Sequence, residues 1–468
     1  MKRTISLLLF FISSGLLAQT DPLTGSWKGY LEFGGRKMDI IIDLKKDGDL
    51  WQGSLSSEKQ QLKDIPLSNI SIKSDSLFFD VPMAGGRWKG AVQNELTGHW
   101  LQGPMKAPLN FQKLEAAPAL KIRKRTQTPE PPYPYLVKEV SYRNMKDSTR
   151  LAATLTLPKG DGPFPAAILL TVAGPNDRDQ SHGSPQHKPY MVLADYLTGR
   201  GIAVLRADDR GVGGSGGDLF QSTIEDFAHD ALAGFEWLKQ QPQIDTDQIG
   251  FIGNSEGTLV GPLAASINPE VAFIITLGGI GVAGSEVILD QVDAIGAIAQ
   301  LSEGEIASTK QSTERLFELL SESKNDDILE RSIRAELSKK PYGDKTRSLF
   351  LIPNSIDEQV RIFTSPWYRY QVTYQPGPIL EKVDCPFLAL HGDQDPFVMP
   401  DKNLKAIAHW LDQGGNKKHR QVKLENVNHV FQDATNGSPA LYSQNETSFS
   451  PRALTLIYEW LDEMLRLN

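Results

Sequence analysis

The stretch Ile249-Gly250-Phe251-Ile252-Gly253-Asn254-Ser255-Glu256-Gly257-Thr258-Leu259-Val260 decides the reading of this chain. A short apolar run ends in Gly-Asn-Ser-Glu-Gly, and a helical pattern rich in Ala and Leu follows. This is G-x-S-x-G in strand–turn–helix context. Such a turn pushes a serine hydroxyl outward, and its glycines remove side chains that would collide there. It also leaves the Glu256 N–H at the start of a helix, where it can help hold an oxyanion. Taken alone, the pentapeptide also fits an ordinary βα turn. What surrounds it has to decide.

Upstream and downstream, apolar runs alternate with helical patterns. Strands are expected at 137–142, 151–157, 166–172, 202–205, 249–252 and 271–277, and helices at 190–198, 224–240 and 258–267. The run at 166–172 is almost continuously apolar, as in a strand buried on both faces. This implies a mostly parallel sheet covered by helices. The alternation stops after the sixth strand. Residues 283–380 carry apolar residues at helical spacing, which predicts a helical lid insertion. It resumes over 381–468, with strands at 387–390 and 422–424 and helices at 402–411 and 451–465.

The N-terminal part is different. Within 20–115, Met38, Ile40, Ile42 and Leu44 alternate in the period of a strand. A Trp-x-Gly tripeptide recurs at Trp27, Trp51 and Trp88, with a looser copy at Trp100. This predicts a small antiparallel meander or barrel. The tryptophans read first as its core, and a glycan contact through this domain is the second reading. Residues 116–136 are a Pro-rich linker whose basic run, Lys121 to Arg125, reads as solvated. Residues 1–19 resemble a secretory signal: Lys2 and Arg3 precede an apolar stretch too short to cross a bilayer, and Ala18 offers a cleavage site. Periplasmic or secreted localisation follows as an expectation, with no stable membrane anchor.

At 468 residues the chain exceeds one ordinary domain, and a net charge of −8 argues against nucleic acid as a partner. The single cysteine, Cys385, excludes an intramolecular disulfide and reads as a packing residue.

Three features follow strands in the order nucleophile, acid, base: Ser255; His391-Gly392-Asp393-Gln394-Asp395; and Asn428-His429. A hydroxyl is a poor nucleophile. It needs an imidazole to take its proton, and a carboxylate to orient that imidazole. With Gly174-Pro175-Asn176-Asp177-Arg178-Asp179, Asp209-Arg210-Gly211 and Ser365-Pro366-Trp367-Tyr368-Arg369-Tyr370, these stretches resemble the α/β-hydrolase superfamily, in particular carboxylesterases related to prolyl-oligopeptidase-like hydrolases. The resemblance covers about 137 to 468. It implies an acyl-enzyme mechanism with Ser255, Asp395 and His429 as triad, with no metal or organic cofactor. Asp393 is the rival acid. Backbone N–H groups of Ala173 and Glu256 are the expected oxyanion donors, although the loop Thr171-Val172-Ala173-Gly174-Pro175 departs from the His-Gly-Ser-Gly-Pro of relatives.

Asp177, Arg178, Trp367, Tyr368 and Arg369 are candidates for shaping the substrate pocket. Asp209 reads as a structural turn residue paired with a nearby base, His391 as a local hydrogen-bonding group, and His187 and His229 as surface or helix residues. The expected activity is that of an exported carboxylesterase on small or medium acyl esters. A serine exopeptidase or amidase is the alternative, and outside enzymes, a glycan- or cell-wall-binding protein with an inactive hydrolase domain.

Overall fold

A computed structural model describes residues 21–33, 36–48, 50–81, 86–102, 105–122, 125–181, 187–323, 325–339 and 355–466. The signal-like stretch at 1–19 lies outside the described residues. The chain divides into two compact units, residues 1–121 and 122–468.

The first unit is all β among its described residues. Its strands are β1 (Gly25–Phe33), β2 (Arg36–Asp47), β3 (Leu50–Ser57), β4 (Leu62–Pro66), β5 (Ser68–Lys73), β6 (Ser76–Val81), β7 (Gly86–Val92), β8 (Leu96–Gln102), β9 (Met105–Pro108) and β10 (Phe111–Lys113). They pair antiparallel in the order β4-β3-β2-β1-β10-β8-β7-β6-β5, with β9 on β8. The last strand thus returns to the first, the connectivity of an up-and-down barrel, while β4 and β5 share no ladder. Ile40, Ile42 and Leu44 point into one core with Leu77, Phe79 and Phe111. Trp27, Trp88 and Trp100 are buried there too. The Trp88 ring stacks on Phe79 and meets Phe111 edge-on. The Trp-x-Gly spacing has a physical cause at Trp88: a Cβ on Gly90 or Gly98 would lie 2.4–2.5 Å from its ring atoms. The buried indole N–H groups are satisfied, Trp88 by Leu109 O and Trp27 by Leu23 O.

In the second unit the linker is not wholly solvated. Arg125 is buried, and its guanidinium donates to the carbonyls of Tyr442, Ser443, Asn445 and Thr447. The expectation of a solvated basic run fails at this residue. A planar, multi-donor fork suits a loop that presents several carbonyls at once.

Beyond it lie β11 (Leu136–Arg143), β12 (Arg150–Leu157), β13 (Phe164–Leu170), α1 (Pro189–Thr198), β14 (Ala203–Ala207), α2 (Ile224–Lys239), β15 (Ile244–Asn254), α3 (Gly257–Ile267) and β16 (Ile274–Leu277). The helical insertion follows: α4 (Gly284–Ile298), α5 (Glu303–Glu322), α6 (Asp326–Lys339), α7 (Ile356–Phe363), α8 (Pro366–Thr373) and α9 (Gly377–Leu380). Then come β17 (Phe387–Gln394), α10 (Pro400–Gln413), β18 (His419–Asn428) and α11 (Pro451–Leu465).

The sheet order is β11-β12-β14-β13-β15-β16-β17-β18. β12 runs antiparallel to β11 and β14, and every pairing from β14 to β18 is parallel. Side-chain alternation shows why the strands are apolar throughout. Ala166, Ile168, Leu205, Phe251, Phe387 and Ala389 pack on one face with α2, α3 and α10. Ala167, Leu169, Val204, Ile252, Leu388 and Leu390 pack on the other with α1 and α11. The insertion carries its own small core of Leu316, Leu329, Ile333, Val360 and Phe363.

The β unit depends heavily on one side chain. Trp88→Ala is expected to cost about 3–5 kcal/mol. Calorimetry of the full-length protein should show a low-temperature transition appear or move down. An unchanged thermogram would contradict the packing argument.

Candidate active site

The chain passes from β13 to β14 on one side and then to β15 on the other. The strand order reverses there, and loops leaving the carboxyl ends of β13 and β15 diverge to leave a crevice. The Ser255 turn and the loop 171–176 flank it.

Ser255 has φ +50°, a left-handed conformation that a non-glycine residue adopts only under constraint. The constraint is visible. Ser255 N–H donates to Leu277 O at 2.9 Å, and Gly257 N–H to Thr171 O at 2.9 Å. A Cβ on Gly253 would lie 2.2 Å from Gly257 O, and one on Gly257 2.3 Å from Leu170 O. Both glycines of the pentapeptide are therefore spatial necessities. Ser255 C=O accepts from Thr258 N–H at 2.9 Å and from Thr258 Oγ1 at 2.5 Å. In a trans peptide the N–H points opposite to the C=O. Glu256 N–H is thereby aimed away from α3, and it donates to no acceptor among the described residues.

Asn254 links this turn to the β18 loop. Its Nδ2 donates to Leu277 O at 2.8 Å and lies 3.4 Å from His429 O, and its Oδ1 accepts from Gln180 Nε2. His429 sits in a tight turn closed by Asn428 and Gln432, whose side chains bond each other and whose backbones pair at 3.0 Å. His429 Nδ1 lies 2.8 Å from Asp395 Oδ2, with both residues buried. The other Asp395 oxygen accepts the N–H groups of Phe397 and Val398. Asp393 is exposed. The carboxylate thus stands where it can hold the imidazole tautomer. No hydrogen bond joins Ser255 Oγ to His429 among the described residues, and in uncomplexed sites that contact is often loose.

The loop after β13 places Ala173 exposed and Val172 buried. Asp209 holds it. Its carboxyl accepts from Thr171 Oγ1 at 2.6 Å, Asn176 N at 2.9 Å and Asn176 Nδ2 at 3.2 Å. The expected base partner of Asp209 is absent among the described residues, because hydroxyl and amide donors fill its place. Burial pushes its pKa up to about 7, against these donors. His187 is buried near Gln432, so it is no surface residue, whereas His229 lies on α2. His391 Nε2 pairs with Gly279 O, and burial lowers its pKa to about 4.

The candidate pocket residues divide. Trp367 follows the Ser365 cap and Pro366 at the start of α8, so Trp367 and Gln371 share one helical face. Both donate to Glu256 Oε2, Trp367 Nε1 at 2.6 Å. Sequence reasoning treated Glu256 as a backbone donor alone and missed its side chain, as well as Gln371 and Asn176. The other candidates also have partners within the fold. Arg178 forms a two-pronged pair with Asp208 and reaches Glu139 and Thr154. Arg369 pairs with Asp326, and Tyr368 packs on Phe363, both inside the insertion. Asp177 caps its own turn by accepting from Asp179 and Ser181 N–H.

A mostly parallel sheet, a serine on a strained strand-to-helix turn and a histidine–carboxylate pair on the following loops define the α/β-hydrolase class. Within it, residues 147–430 match the X-Pro dipeptidyl-peptidase (S15) family, and the chain belongs to that family. It is 32% identical over 122 residues to esterase EstD of Thermotoga maritima, covering 26% of this chain and 27% of that one. It is 36% identical over 116 residues to an uncharacterized protein of Mycobacterium tuberculosis, covering 25% and 36%. The chain thus matches well under two thirds of either relative's length. Among solved structures, the α/β-hydrolase GrgF of Penicillium sp. sh18 is similar with TM-score 0.46 at 14% identity, over 71% of this chain and 98% of that one. The Pyrococcus furiosus esterase Pf2001 is similar with TM-score 0.42 at 15% identity, over 74% and 99%.

Burial, with the nearby Asp209 charge, pushes the Glu256 carboxyl up to about 8, although Trp367 and Gln371 pull it down. A carboxyl raised in the folded state contributes stability that is full below its unfolded pKa and is lost as pH rises through the folded value. Wild-type protein should therefore lose melting temperature between pH 4.5 and pH 8 faster than Glu256→Gln. A gap of at least about 3 °C is expected to open by the alkaline end. Parallel melting curves across that range would refute the assignment.

Proposed function

We propose that this protein is an exported serine carboxylesterase acting on small or medium acyl esters, with Ser255 as nucleophile, His429 as general base and acid, and Asp395 as the carboxylate that orients His429. The observation that carries this reading is the 2.8 Å His429–Asp395 pair on loops beside a serine held at φ +50°. Ser255 Oγ attacks the ester carbonyl carbon while its proton passes to His429 Nε2. Asp395 stabilises the imidazolium. The tetrahedral oxyanion takes hydrogen bonds from the N–H groups of Ala173 and Glu256. Collapse breaks the bond to the alkoxy oxygen, which leaves with the His429 proton. Water then loses a proton to His429 and attacks the acyl-enzyme, which releases the acid and restores Ser255. The helical insertion serves as a lid, with Trp367 and Gln371 reaching the turn. Export rests on the signal-like residues 1–19.

Cleavage of an amide is the second reading, favoured by the family's name, since an X-Pro dipeptidyl-peptidase cuts after a penultimate proline. The relative named as an esterase favours the first. The same triad serves both, because the difference lies in the leaving group that His429 must protonate.

Purified protein offered p-nitrophenyl esters of increasing chain length, beside aminoacyl- and X-Pro-nitroanilides, decides between them. Ester turnover is expected to exceed amide turnover. Ser255→Ala should lower kcat by about 10⁴-fold or more, and Asp395→Asn by a similar factor. Turnover that survives in Ser255→Ala would sink the mechanism, and faster amide cleavage would install the peptidase.

A further inference from the structure

A backbone oxyanion donor works only if its peptide plane is fixed before the reaction, because reorientation during catalysis would cost what the hydrogen bond returns. At Glu256 the helix does this, since Thr258 holds the Ser255 carbonyl. At Ala173 no helix is available. The loop 171–176 has no regular structure, and Gly174 within it has φ +93°.

Asn176 supplies what the helix cannot. Its Nδ2 lies 2.7 Å from Val172 O and 2.6 Å from Gly174 O, with Asp209 Oδ2 at 3.2 Å. Oxygen acceptors converge on this atom, so it is the amide nitrogen and not the oxygen. Its two hydrogens are shared among these three acceptors, and the two nearest are carbonyls on either side of Ala173. The Val172–Ala173 peptide is trans, so holding Val172 O against the buried Asn176 turns Ala173 N–H the opposite way. Ala173 is exposed, and its N–H donates to no acceptor among the described residues.

Asn176 is itself held. Its backbone N–H donates to Asp209 Oδ2, and its carbonyl accepts from Asp209 N–H at 3.1 Å. The other Asp209 oxygen accepts the Thr171 hydroxyl. The loop is thus clamped at both ends by one carboxyl and pinned in the middle by one amide.

We infer that Asn176, held by Asp209 together with Thr171, is the positioning residue that aims the Ala173 N–H at the oxyanion. The inference rests on the reading of Ser255 as nucleophile and goes beyond it, because none of these three side chains needs to touch substrate. With the carbonyls pinned by a side chain, Val172 can stand beside the donor.

The test is the full-length protein with p-nitrophenyl acetate, comparing wild type, Ser255→Ala, Asn176→Ala, Thr171→Val and Thr171→Ser. Loss of one oxyanion donor lowers kcat by roughly 100-fold or more, so a partly misaimed donor in Asn176→Ala should cost about 10- to 100-fold in kcat with KM within about threefold. Phenylboronic acid, which forms a tetrahedral adduct on a serine Oγ, should bind more weakly by a similar factor. A merely structural loss would lower the active fraction without weakening the boronate on the protein that remains folded. Thr171→Val should lose kcat, and Thr171→Ser, which keeps the hydroxyl, should restore it; this pair decides the matter if Asn176→Ala does not fold. Unchanged kcat and boronate affinity in Asn176→Ala beside a silent Ser255→Ala, or equal kcat in the two Thr171 variants, would overturn the brace alone. Turnover persisting in Ser255→Ala would overturn the site and the brace together.

Discussion

The contact on which the second unit's site depends is the one between Gly257 and the end of β13. The Gly257 N–H reaches Thr171 O at 2.9 Å, and the space for any Cβ on Gly257 is taken by Leu170 O. That approach joins two chain segments far apart in sequence. One carries Ser255 and Glu256, and the other carries Ala173. A single methyl group at residue 257 would force them apart, since a backbone carbonyl cannot move out of the way as a flexible side chain can. The strained φ of Ser255 follows from the same contact, because the turn must bring Gly257 to the strand within three residues of Asn254. Strain of this kind persists only where the surroundings over-determine it. Here the surroundings are the ladder of β15 with β13 and β16 on one side and the first turn of α3 on the other.

Much of the fold was legible because its signals are local. Strands buried on both faces read as continuous apolar runs, and Ala166–Leu169 and Phe387–Leu390 divide their side chains between two cores in strict alternation. The order of Ser255, Asp395 and His429 was legible for a similar reason: each follows a strand, and strands of a parallel sheet all point one way. What could not be read were the partners. Nothing local marks Arg178 for pairing with Asp208, since the two meet only after β14 is laid beside β12 and β13. Arg125 looked solvated because its neighbours in sequence are basic, yet the carbonyls it binds lie at 442–447. Glu256 was read as backbone because its position in the pentapeptide is defined by backbone, and its side-chain partners come from α8, more than a hundred residues on.

The helical insertion has a small core of its own, while Tyr374 and Leu380 near its end join the core on one face of the sheet. Its tie to the turn is polar: Trp367 and Gln371 converge on one oxygen of Glu256. Phe220 adds an edge-on contact to the Trp367 ring. Polar ties of this kind specify a position while contributing little net stability, because each group exchanges a water for a protein partner. Breaking such a tie exposes far less apolar surface to water than parting a large apolar interface would.

Two carboxyls with raised pKa therefore flank the proposed oxyanion donors, the partly buried Asp209 behind Ala173 and the buried Glu256 on its own donor residue. A full negative charge on both would oppose the charge that develops on the substrate oxygen. Burial opposes a charge on either. Burial raises Asp209 to about 7 against the bonds of Thr171 and Asn176, and Glu256 to about 8 against those of Trp367 and Gln371, with the Asp209 charge among the causes. Both groups are thus held above the usual carboxylate range, and burial disfavours a second charge beside the first. The arrangement separates the two tasks. Asp209 orders the loop through Thr171 and Asn176, and Glu256 receives Trp367 and Gln371 from the insertion.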